Sequence, residues 1–188
     1  MWLAAIKLEL SQINAYKTFR ALKKREIAPP GYQRISCHIV YAVKFNGKRK
    51  ARLVAGGNWT EVDKEESYSG VIGMDTMRLG FFIGELNNLQ CYAGDVGNAY
   101  LYSKTREKVY IIAGPEFGEF EGCVLLIEKA LYGLKTSAAR WHEHLSDTLK
   151  SLGFNPSKAD ASLWMRDRGD HYEYLSTYVD DILVWSKD

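Results

Sequence analysis

The sequence predicts an α+β fold, in which helices back a mostly antiparallel β-sheet. Apolar residues recur with the helical period near the amino terminus and again in the last third of the chain, which indicates amphipathic helices. A β-hairpin signal follows the first helix, and short strands surround the second. Because strands and helices do not alternate strictly, a parallel sheet built from β-α-β units is not expected.

The first third of the chain contains a predicted helix and hairpin. Trp2 to Tyr16 is predicted to be helical, and its apolar stripe consists of Leu3, Ile6, Leu10 and Ile13. The hairpin arms run from Ile35 to Phe45 and from Arg49 to Ala55. Between them Asn46-Gly47 favours a tight turn with two positive-φ positions.

A loop and a second helix follow the hairpin. Gly56, Gly57 and the acidic run after them are predicted to form the loop; the acids are Glu61, Asp63, Glu65 and Glu66. Asp75 is predicted to cap a helix that reaches about Asn87. Met77, Phe81 and Phe82 are expected to be partly buried.

The second half of the chain consists mainly of short strands. The predicted strands are Cys91 to Val96, Val109 to Ile112, Cys123 to Glu128, Ser162 to Arg166, Tyr172 to Val179, and Ile182 to Ser186. A helix is predicted from Ser137 to Leu152, and Gly153 ends it. Its apolar stripe consists of Trp141, Leu145, Leu149 and Leu152.

Composition restricts the class of protein. The chain has 188 residues, 46% of them apolar and 26% charged, which suits one sizeable core or two closely packed subdomains. No stretch approaches the roughly 18 uninterrupted apolar residues of a membrane span, so no membrane partner is expected. Three separated cysteines, Cys37, Cys91 and Cys123, indicate buried thiols in a reducing compartment.

Charge is informative through its distribution rather than its sum. The formal net charge of +2 is too small to indicate a nucleic-acid-binding protein. Five basic residues and no acid lie between Lys17 and Arg25, and the same holds between Lys44 and Arg52. Such runs are suited to contact phosphates, but each alone is better explained as a solvated face.

Three carboxylates carry the strongest chemical signal. Asp180 and Asp181 follow Tyr178-Val179 at a turn between two apolar strands, which places them at the edge of the predicted core. Asp95 stands at the end of another strand. Each has a structural explanation, because aspartate favours turns and caps. Two strands that end in carboxylates can nevertheless lie side by side in one sheet. Three oxygen donors without His or Cys suit Mg²⁺ and two-metal phosphoryl transfer.

Five stretches in order along the chain resemble the reverse transcriptase domain of copia-type retrotransposons. They are Trp2–Glu9, Lys50–Ala55, Asp95–Leu101, Lys129–Lys135 and Tyr178–Asp181. The resemblance implies the fingers and palm of a right-hand polymerase over residues 1–188. It also implies RNA-directed DNA synthesis, in which a deoxynucleoside triphosphate (dNTP) is added to a primer 3′-hydroxyl on an RNA or DNA template.

The resemblance also assigns site residues. Asp95, Asp180 and Asp181 are the implied catalytic residues, and together with Val96 they form the implied metal set for two Mg²⁺ ions, with Mn²⁺ as an alternative. The implied nucleotide-binding residues are Lys50, Arg52, Val96, Asn98, Ala99, Tyr100, Tyr132 and Gly133. Among these, Lys50 and Arg52 would contact the triphosphate, and the backbone amides of Asn98 and Ala99 would face its β-phosphate. Gly133 would let the chain approach the templating base pair closely. Tyr100 would stack under the deoxyribose and block a 2′-hydroxyl, although a core aromatic is the alternative interpretation.

The family context adds expectations about partners. In the family this region is followed by a thumb and a ribonuclease H domain, so the 188 residues are expected to stop before them and to be weak or inactive alone. The expected partners are the remaining polyprotein segments, namely protease, integrase and ribonuclease H. The expected location is the cytoplasm, in virus-like particles, with nuclear passage.

Two other functions are compatible with the same carboxylates. A degenerate remnant of such an element would keep the fold and bind nucleic acid without catalysis. A two-carboxylate hydrolase such as a glycosidase would need one acid with a raised pKa in an apolar pocket. Magnesium-dependent incorporation of deoxynucleotide on a primed template separates these functions.

Overall fold

A computed structural model describes residues 2–60 and 69–187 of the chain. The chain divides into two compact units. The hairpin unit comprises residues 1–68 and 100–140, and the five-strand unit comprises residues 69–99 and 141–188. The predicted acidic loop with Glu61, Asp63, Glu65 and Glu66 lies outside the described residues.

Three α-helices and eleven strands are present in the described part of the chain. The helices are α1 (Trp2–Ala15), α2 (Met74–Leu86) and α3 (Ser137–Ser151). The strands are β1 (Phe19–Ala21), β2 (Gln33–Arg34), β3 (Cys37–Val43), β4 (Arg49–Ala55), β5 (Gln90–Asp95), β6 (Val109–Ile112), β7 (Val124–Ile127), β8 (Asn155–Pro156), β9 (Leu163–Asp167), β10 (Tyr172–Tyr178) and β11 (Asp181–Ser186). Short 3₁₀ turns occur at Gly57–Trp59, Ala99–Tyr102 and Pro115–Phe120.

The hairpin unit contains two sheets. Four strands form one sheet in the order β1-β7-β6-β2, and β3 pairs with β4 in the other. All pairings in the two sheets are antiparallel except that of β2 with β6. Apolar side chains from α1, both sheets and the following loops share one core; its most buried members include Ile13, Leu53, Val109, Leu125 and Leu131.

The five-strand unit is an antiparallel sheet in the order β5-β11-β10-β9-β8. Helix α2 packs closely on this sheet, where its Gly80 and Gly84 face the indole ring of Trp185. A methyl group on Gly84 would lie 2.6 Å from Cδ1 of that ring. Only glycine permits such an approach, so these two residues determine how closely the helix packs.

The architecture confirms the prediction of an α+β fold with mainly antiparallel sheets. Its division into fingers and palm stays a prediction. None of the helices within residues 2–60 and 69–187 combines the length and the apolar composition needed to cross a bilayer.

The hairpin turn differs from the one that Asn46-Gly47 predicts. Only Gly47 has a positive φ, of 76°, and its N–H donates to the carbonyl of Lys44 over 2.8 Å. The N–H of Lys44 donates in turn to the carbonyl of Lys48. This arrangement is a three-residue loop closed by a left-handed glycine. The two-residue turn was therefore wrong, and Phe45 is fully exposed in the loop.

The predicted cap of α2 is also corrected. Gly73 precedes the helix, while Asp75 lies in the first turn and pairs with Arg78. The carboxylate that accepts the Gly73 N–H belongs to Asp160, at 3.0 Å. Capping by a residue 87 positions away leaves no local signal in the sequence.

Several residues of the predicted apolar stripes are exposed. Leu3 in α1, Phe81 and Phe82 in α2, and Leu152 beyond α3 are each between 48% and 65% exposed. Helical period alone predicted that Leu3 and Leu152 belong to apolar stripes and that Phe81 and Phe82 are partly buried, and all four are more exposed than this. Met77 is half-buried, as predicted.

The cysteines were expected to be buried, and Cys91 is not. It lies on β5, where every residue is exposed, while Cys37 and Cys123 are half-buried. Burial raises the pKa of the Cys37 thiol to about 12, so this thiol is protonated at neutral pH. All three cysteines are free.

Candidate active site

Asp95 and Asp181 are directly opposite each other across the pairing of β5 with β11. The N–H of Val96 donates to the carbonyl of Asp180 over 2.8 Å, which makes Val96 and Asp180 the hydrogen-bonded position. Asp95 and Asp181 therefore occupy the next, non-hydrogen-bonded position, where opposite side chains share a face and lie closest. The sheet brings together the backbones of the three predicted catalytic aspartates, as expected from strands that end side by side.

The turn that carries Asp180 is conformationally strained. Tyr178 pairs with Asp181, so Val179 and Asp180 are its two central residues. Val179 has a φ of 56°, whereas Asp180 does not have a positive φ. This pattern matches a type II′ turn, which normally has glycine first. A β-branched residue in the left-handed region costs about 1–3 kcal/mol.

The environment of the carboxylates is more aqueous than the sequence predicted. Asp95 and Asp181 are exposed and Asp180 is half-buried, rather than lying at the edge of an apolar core. Water screens their repulsion toward about 1 kcal/mol at 4 Å, compared with about 4 kcal/mol at an effective dielectric constant of 20. Within the described residues no ion pair engages any of the three carboxylates.

The structure does not gather these side chains into a metal-binding cluster. Within residues 2–60 and 69–187 there is no group of three or more His, Cys, Asp or Glu side chains arranged to hold an ion. The paired positions of Asp95 and Asp181, with Asp180 adjacent, supply hard oxygen donors of the kind that Mg²⁺ prefers. The three carboxylates are therefore suitable ligands for Mg²⁺ by atom type. Their assignment as metal ligands stays a prediction.

The segment after β5 turns sharply. Asn98 has a φ of 57°, and Ala99 is buried at the start of a 3₁₀ turn. Left-handed and helical residues in succession present backbone N–H groups in one direction, which is a feature of anion-binding loops. The contact of the Asn98 and Ala99 amides with phosphate stays a prediction.

In the hairpin unit, Lys50 and Arg52 alternate along β4 and therefore lie on one face of the hairpin. Both are half-buried. The Arg52 guanidinium lies over the ring of Tyr132, with Cζ 4.6 Å from its centroid. Glu9 on α1 accepts the N–H of Leu53 at 2.9 Å. Burial raises the pKa of Glu9, although this hydrogen bond and the two cations act in the opposite direction.

Tyr100, Tyr132 and Gly133 also belong to the hairpin unit. The rings of Tyr100 and Tyr132 are 4.8 Å apart, and both are half-buried rather than part of a closed core. Gly133 has a φ of 92°, and a Cβ there would collide with the Ala55 carbonyl. The glycine is thus required by packing within this unit. Its predicted contact with the templating base pair stays a prediction.

Sequence reasoning missed a residue that contacts the Tyr178–Asp181 turn. Trp141 is 4% exposed, and its indole N–H donates to the carbonyl of Val179 over 2.6 Å. The sequence had marked Trp141 only as a core residue of the α3 stripe. Nothing in its spacing indicates the hydrogen bond, because the acceptor lies 38 positions away.

Two further carboxylates organise the five-strand unit. Burial raises the pKa of Asp160, but the hydrogen bonds from Gly73, Ser162 and Thr76 together lower it by more. The pKa of this carboxyl is therefore below its usual value. Glu173 is 5% exposed and accepts hydrogen bonds from Arg166 at 2.6 Å and from Ser186 at 2.8 Å. Burial raises the pKa of the Glu173 carboxyl, but these hydrogen-bond partners lower it by more. The net shift of this pKa is also downward.

Comparisons with known proteins identify the family. The sequence profile described as "Reverse transcriptase (RNA-dependent DNA polymerase)" matches residues 16–188. The chain belongs to the reverse transcriptase family. The retrovirus-related Pol polyprotein from transposon RE2 of Arabidopsis thaliana is 32% identical over 169 residues, which cover 85% of this chain and 12% of that protein. The Transposon Ty1-DR5 Gag-Pol polyprotein of Saccharomyces cerevisiae is 27% identical over 183 residues, which cover 96% of this chain and 10% of that protein.

These matches confirm the predicted membership in the copia-type reverse transcriptases. This reverse transcriptase chain spans about a tenth of the length of the curated relatives that it matches. The match includes both strands that carry the predicted metal ligands, β5 and β11, because residues 16–188 contain them.

Proposed function

We propose that this chain forms the nucleotidyl-transfer site of an RNA-directed DNA polymerase, with Asp95, Asp180 and Asp181 as its metal ligands. The observation that supports the proposal most directly is the pairing of Asp95 with Asp181 at the non-hydrogen-bonded position of β5 and β11. Two carboxylates that face each other without a cation partner are destabilising. A pair of this kind is readily explained when it serves to bind a cation.

Mg²⁺ ions held by these aspartates would supply Lewis-acid activation of the primer 3′-hydroxyl and neutralisation of the triphosphate charge. The carboxylates themselves hold and orient the ions. The carbonyl of Val96 is the additional ligand in this proposal, while its N–H secures the carbonyl of Asp180. This bond joins the two strand ends that carry the ligands.

The hairpin unit binds nucleotide in this proposal. Lys50 and Arg52 present two cations on one face of β4, and stacking on Tyr132 fixes the guanidinium plane of Arg52. Charge-assisted hydrogen bonds to phosphate contribute about 1.5–3 kcal/mol each. We expect Arg52→Ala to raise KM for dNTP roughly tenfold to a hundredfold, whereas Lys48→Ala, on the exposed loop, leaves KM unchanged.

Tyr100 selects the sugar in this proposal. Its half-buried ring is supported by Tyr132, which leaves one part of the aromatic surface accessible. Tyr100→Val should lower discrimination against ribonucleotides by roughly tenfold to a hundredfold, because the clash with a 2′-hydroxyl is relieved. Tyr100→Phe retains the ring and should retain the discrimination. Equal ribonucleotide use by the two variants would assign Tyr100 to packing alone.

The relatives are named as Pol and Gag-Pol polyproteins. We propose that this chain likewise works within a polyprotein beside protease, integrase and ribonuclease H segments, on a primed RNA or DNA template. The proposed location is the cytoplasm, in virus-like particles, with nuclear passage.

Primer extension by the complete polypeptide, with Mg²⁺ or Mn²⁺, tests the polymerase assignment. Asp95→Asn and Asp180→Asn should each abolish extension, and Asp181→Asn should reduce it less. The matched control is Asp147→Asn, which alters an exposed carboxylate on α3. Substantial extension by Asp95→Asn would refute the ligand assignment. A folded wild-type protein that binds primed template but never extends it would indicate a degenerate remnant.

A further inference from the structure

The central peptide of the Tyr178–Asp181 turn joins Val179 to Asp180. The orientation of this peptide distinguishes the two tight hairpin turns. In a type I′ turn both central residues have positive φ, whereas in a type II′ turn only the first does. Here Val179 has a φ of 56° and Asp180 does not have a positive φ. The orientation of this one peptide therefore determines whether Asp180 has a positive or a negative φ.

The carbonyl of that same peptide accepts the indole N–H of Trp141 at 2.6 Å. Trp141 lies on α3 and is 4% exposed, so its ring is held by packing. A rotation of the peptide would break this hydrogen bond and leave a buried indole N–H without its acceptor. On the other side of the turn, Val96 donates to the Asp180 carbonyl and fixes the strand that follows.

From this geometry we propose that Trp141 is a positioning residue for catalysis, which holds the Val179–Asp180 peptide in the orientation that places Asp180 beside Asp95 and Asp181. The inference rests on the proposed function, because it assigns Asp180 a role as metal ligand. Trp141 does not contact the reacting atoms in this account. It acts through the turn, by opposing the relaxation that a valine in the left-handed region would otherwise favour.

The chain offers a matched control. Trp164 on β9 belongs to the same unit and is 2% exposed. Within the described residues its indole N–H has no hydrogen-bond partner. Trp141→Phe and Trp164→Phe therefore remove equivalent buried indoles, but only the first removes a hydrogen bond to the turn. An effect of lost packing should appear in both variants, and an effect of lost positioning only in the first.

The first measurement is nuclear magnetic resonance of the folded polypeptide, which requires no activity. We expect the wild-type Trp141 indole proton to exchange slowly, and Trp141→Phe to shift the backbone amide resonances of Val179, Asp180 and Asp181. Trp164→Phe should leave these three resonances in place. Fast exchange of the wild-type Trp141 indole proton would overturn the proposal even if Trp141→Phe did not fold. So would equal shifts in the two variants.

The second measurement is primer extension with saturating template. Misplacement of a catalytic group by about 1 Å can cost on the order of a hundredfold in rate, so Trp141→Phe should lower kcat at least tenfold with little change in KM for dNTP. Val179→Gly in the Trp141→Phe background should recover part of this loss, because glycine adopts a positive φ without strain. Equal kcat in Trp141→Phe and Trp164→Phe would refute the positioning role.

The two measurements separate this inference from the proposed function. If Asp180→Asn stays active, the ligand assignment fails. In that case the resonance shifts still report whether Trp141 controls the turn. If Asp180→Asn is inactive while Trp141→Phe shows neither the shifts nor the loss of kcat, only the role of Trp141 is refuted.

Discussion

Asp95→Asn should change the stability of the protein in opposite directions with and without magnesium. Without a divalent ion the variant removes the repulsion between Asp95 and Asp181, whose positions oppose each other across the sheet. Both residues are exposed, so the gain should be near the aqueous limit of about 1 kcal/mol at 4 Å. For a protein of this size such a gain raises Tm by about 2–4 °C.

Magnesium should reverse this order. A ligand present at ten times its Kd stabilises the folded state by RT ln 11, about 1.4 kcal/mol. Wild type would gain this energy, and the variant, with one ligand fewer, would gain less. Wild type should therefore be the less stable protein without magnesium and at least equally stable at ten times Kd.

Urea denaturation with and without MgCl₂ measures both effects. Comparison at about 0.01 M and 1 M monovalent salt tests the electrostatic origin, because the Debye length falls from about 30 Å to 3 Å. The exposed Asp147→Asn on α3 should show neither the gain nor the reversal. If Asp95→Asn were destabilising without magnesium, or if magnesium stabilised both proteins equally, the assignment of Asp95 and Asp181 to one cation site would be refuted.

Three further predictions concern the scaffold. Gly84→Ala should destabilise by about 1–3 kcal/mol through overpacking against Trp185, whereas Gly94→Ala, where a Cβ meets nothing within 4 Å, should not show this loss in urea denaturation. Glu173→Gln should remove a pH-dependent contribution to the free energy of unfolding. Because the carboxyl pKa is lowered in the folded state, this contribution is fully present above the unfolded pKa, near 4.5. It is lost as the pH falls through the pKa of the folded state. A wild-type stability that stays constant from pH 6 to pH 3 would contradict it. Gly133→Ala should cost more than the roughly 1–2 kcal/mol of a left-handed φ alone, because its Cβ also meets the Ala55 carbonyl. A smaller loss in the same assay would contradict this expectation.

The sequence predicted the parts of the fold that depend on long periodic segments. Helices α1 and α3 begin where predicted and end within one residue of prediction, because their apolar spacing and Gly153 are local signals. Strands β1, β2 and β8 were missed. They contain two or three residues each, which is too short for an alternating pattern, and they form only because partner strands provide hydrogen bonds.

The sequence predicted that the strand ends carrying Asp95 and Asp181 lie side by side, because carboxylates at strand ends are visible in sequence. The role of these residues as metal ligands stays a prediction, and the contacts that support the turn were not predicted. The Trp141 hydrogen bond and the Asp160 cap join positions 38 and 87 residues apart, and no local pattern encodes them. The exposure of the carboxylates was also missed, because flanking apolar residues gave no information on which face of the strand would be covered.

The pairing of β5 with β11 has a consequence for the order of folding. Asp95 and Asp181 are separated by 85 intervening positions, and residues 100–140 between them belong to the other unit. Contacts of such long sequence separation form slowly, since the chain entropy of a large loop is lost before the contact is gained. During synthesis β5 leaves the ribosome well before its partner strand exists. The pairing of Asp95 with Asp181 therefore cannot form before β11 has been synthesised, and any product released before Ser186 lacks a complete partner for β5.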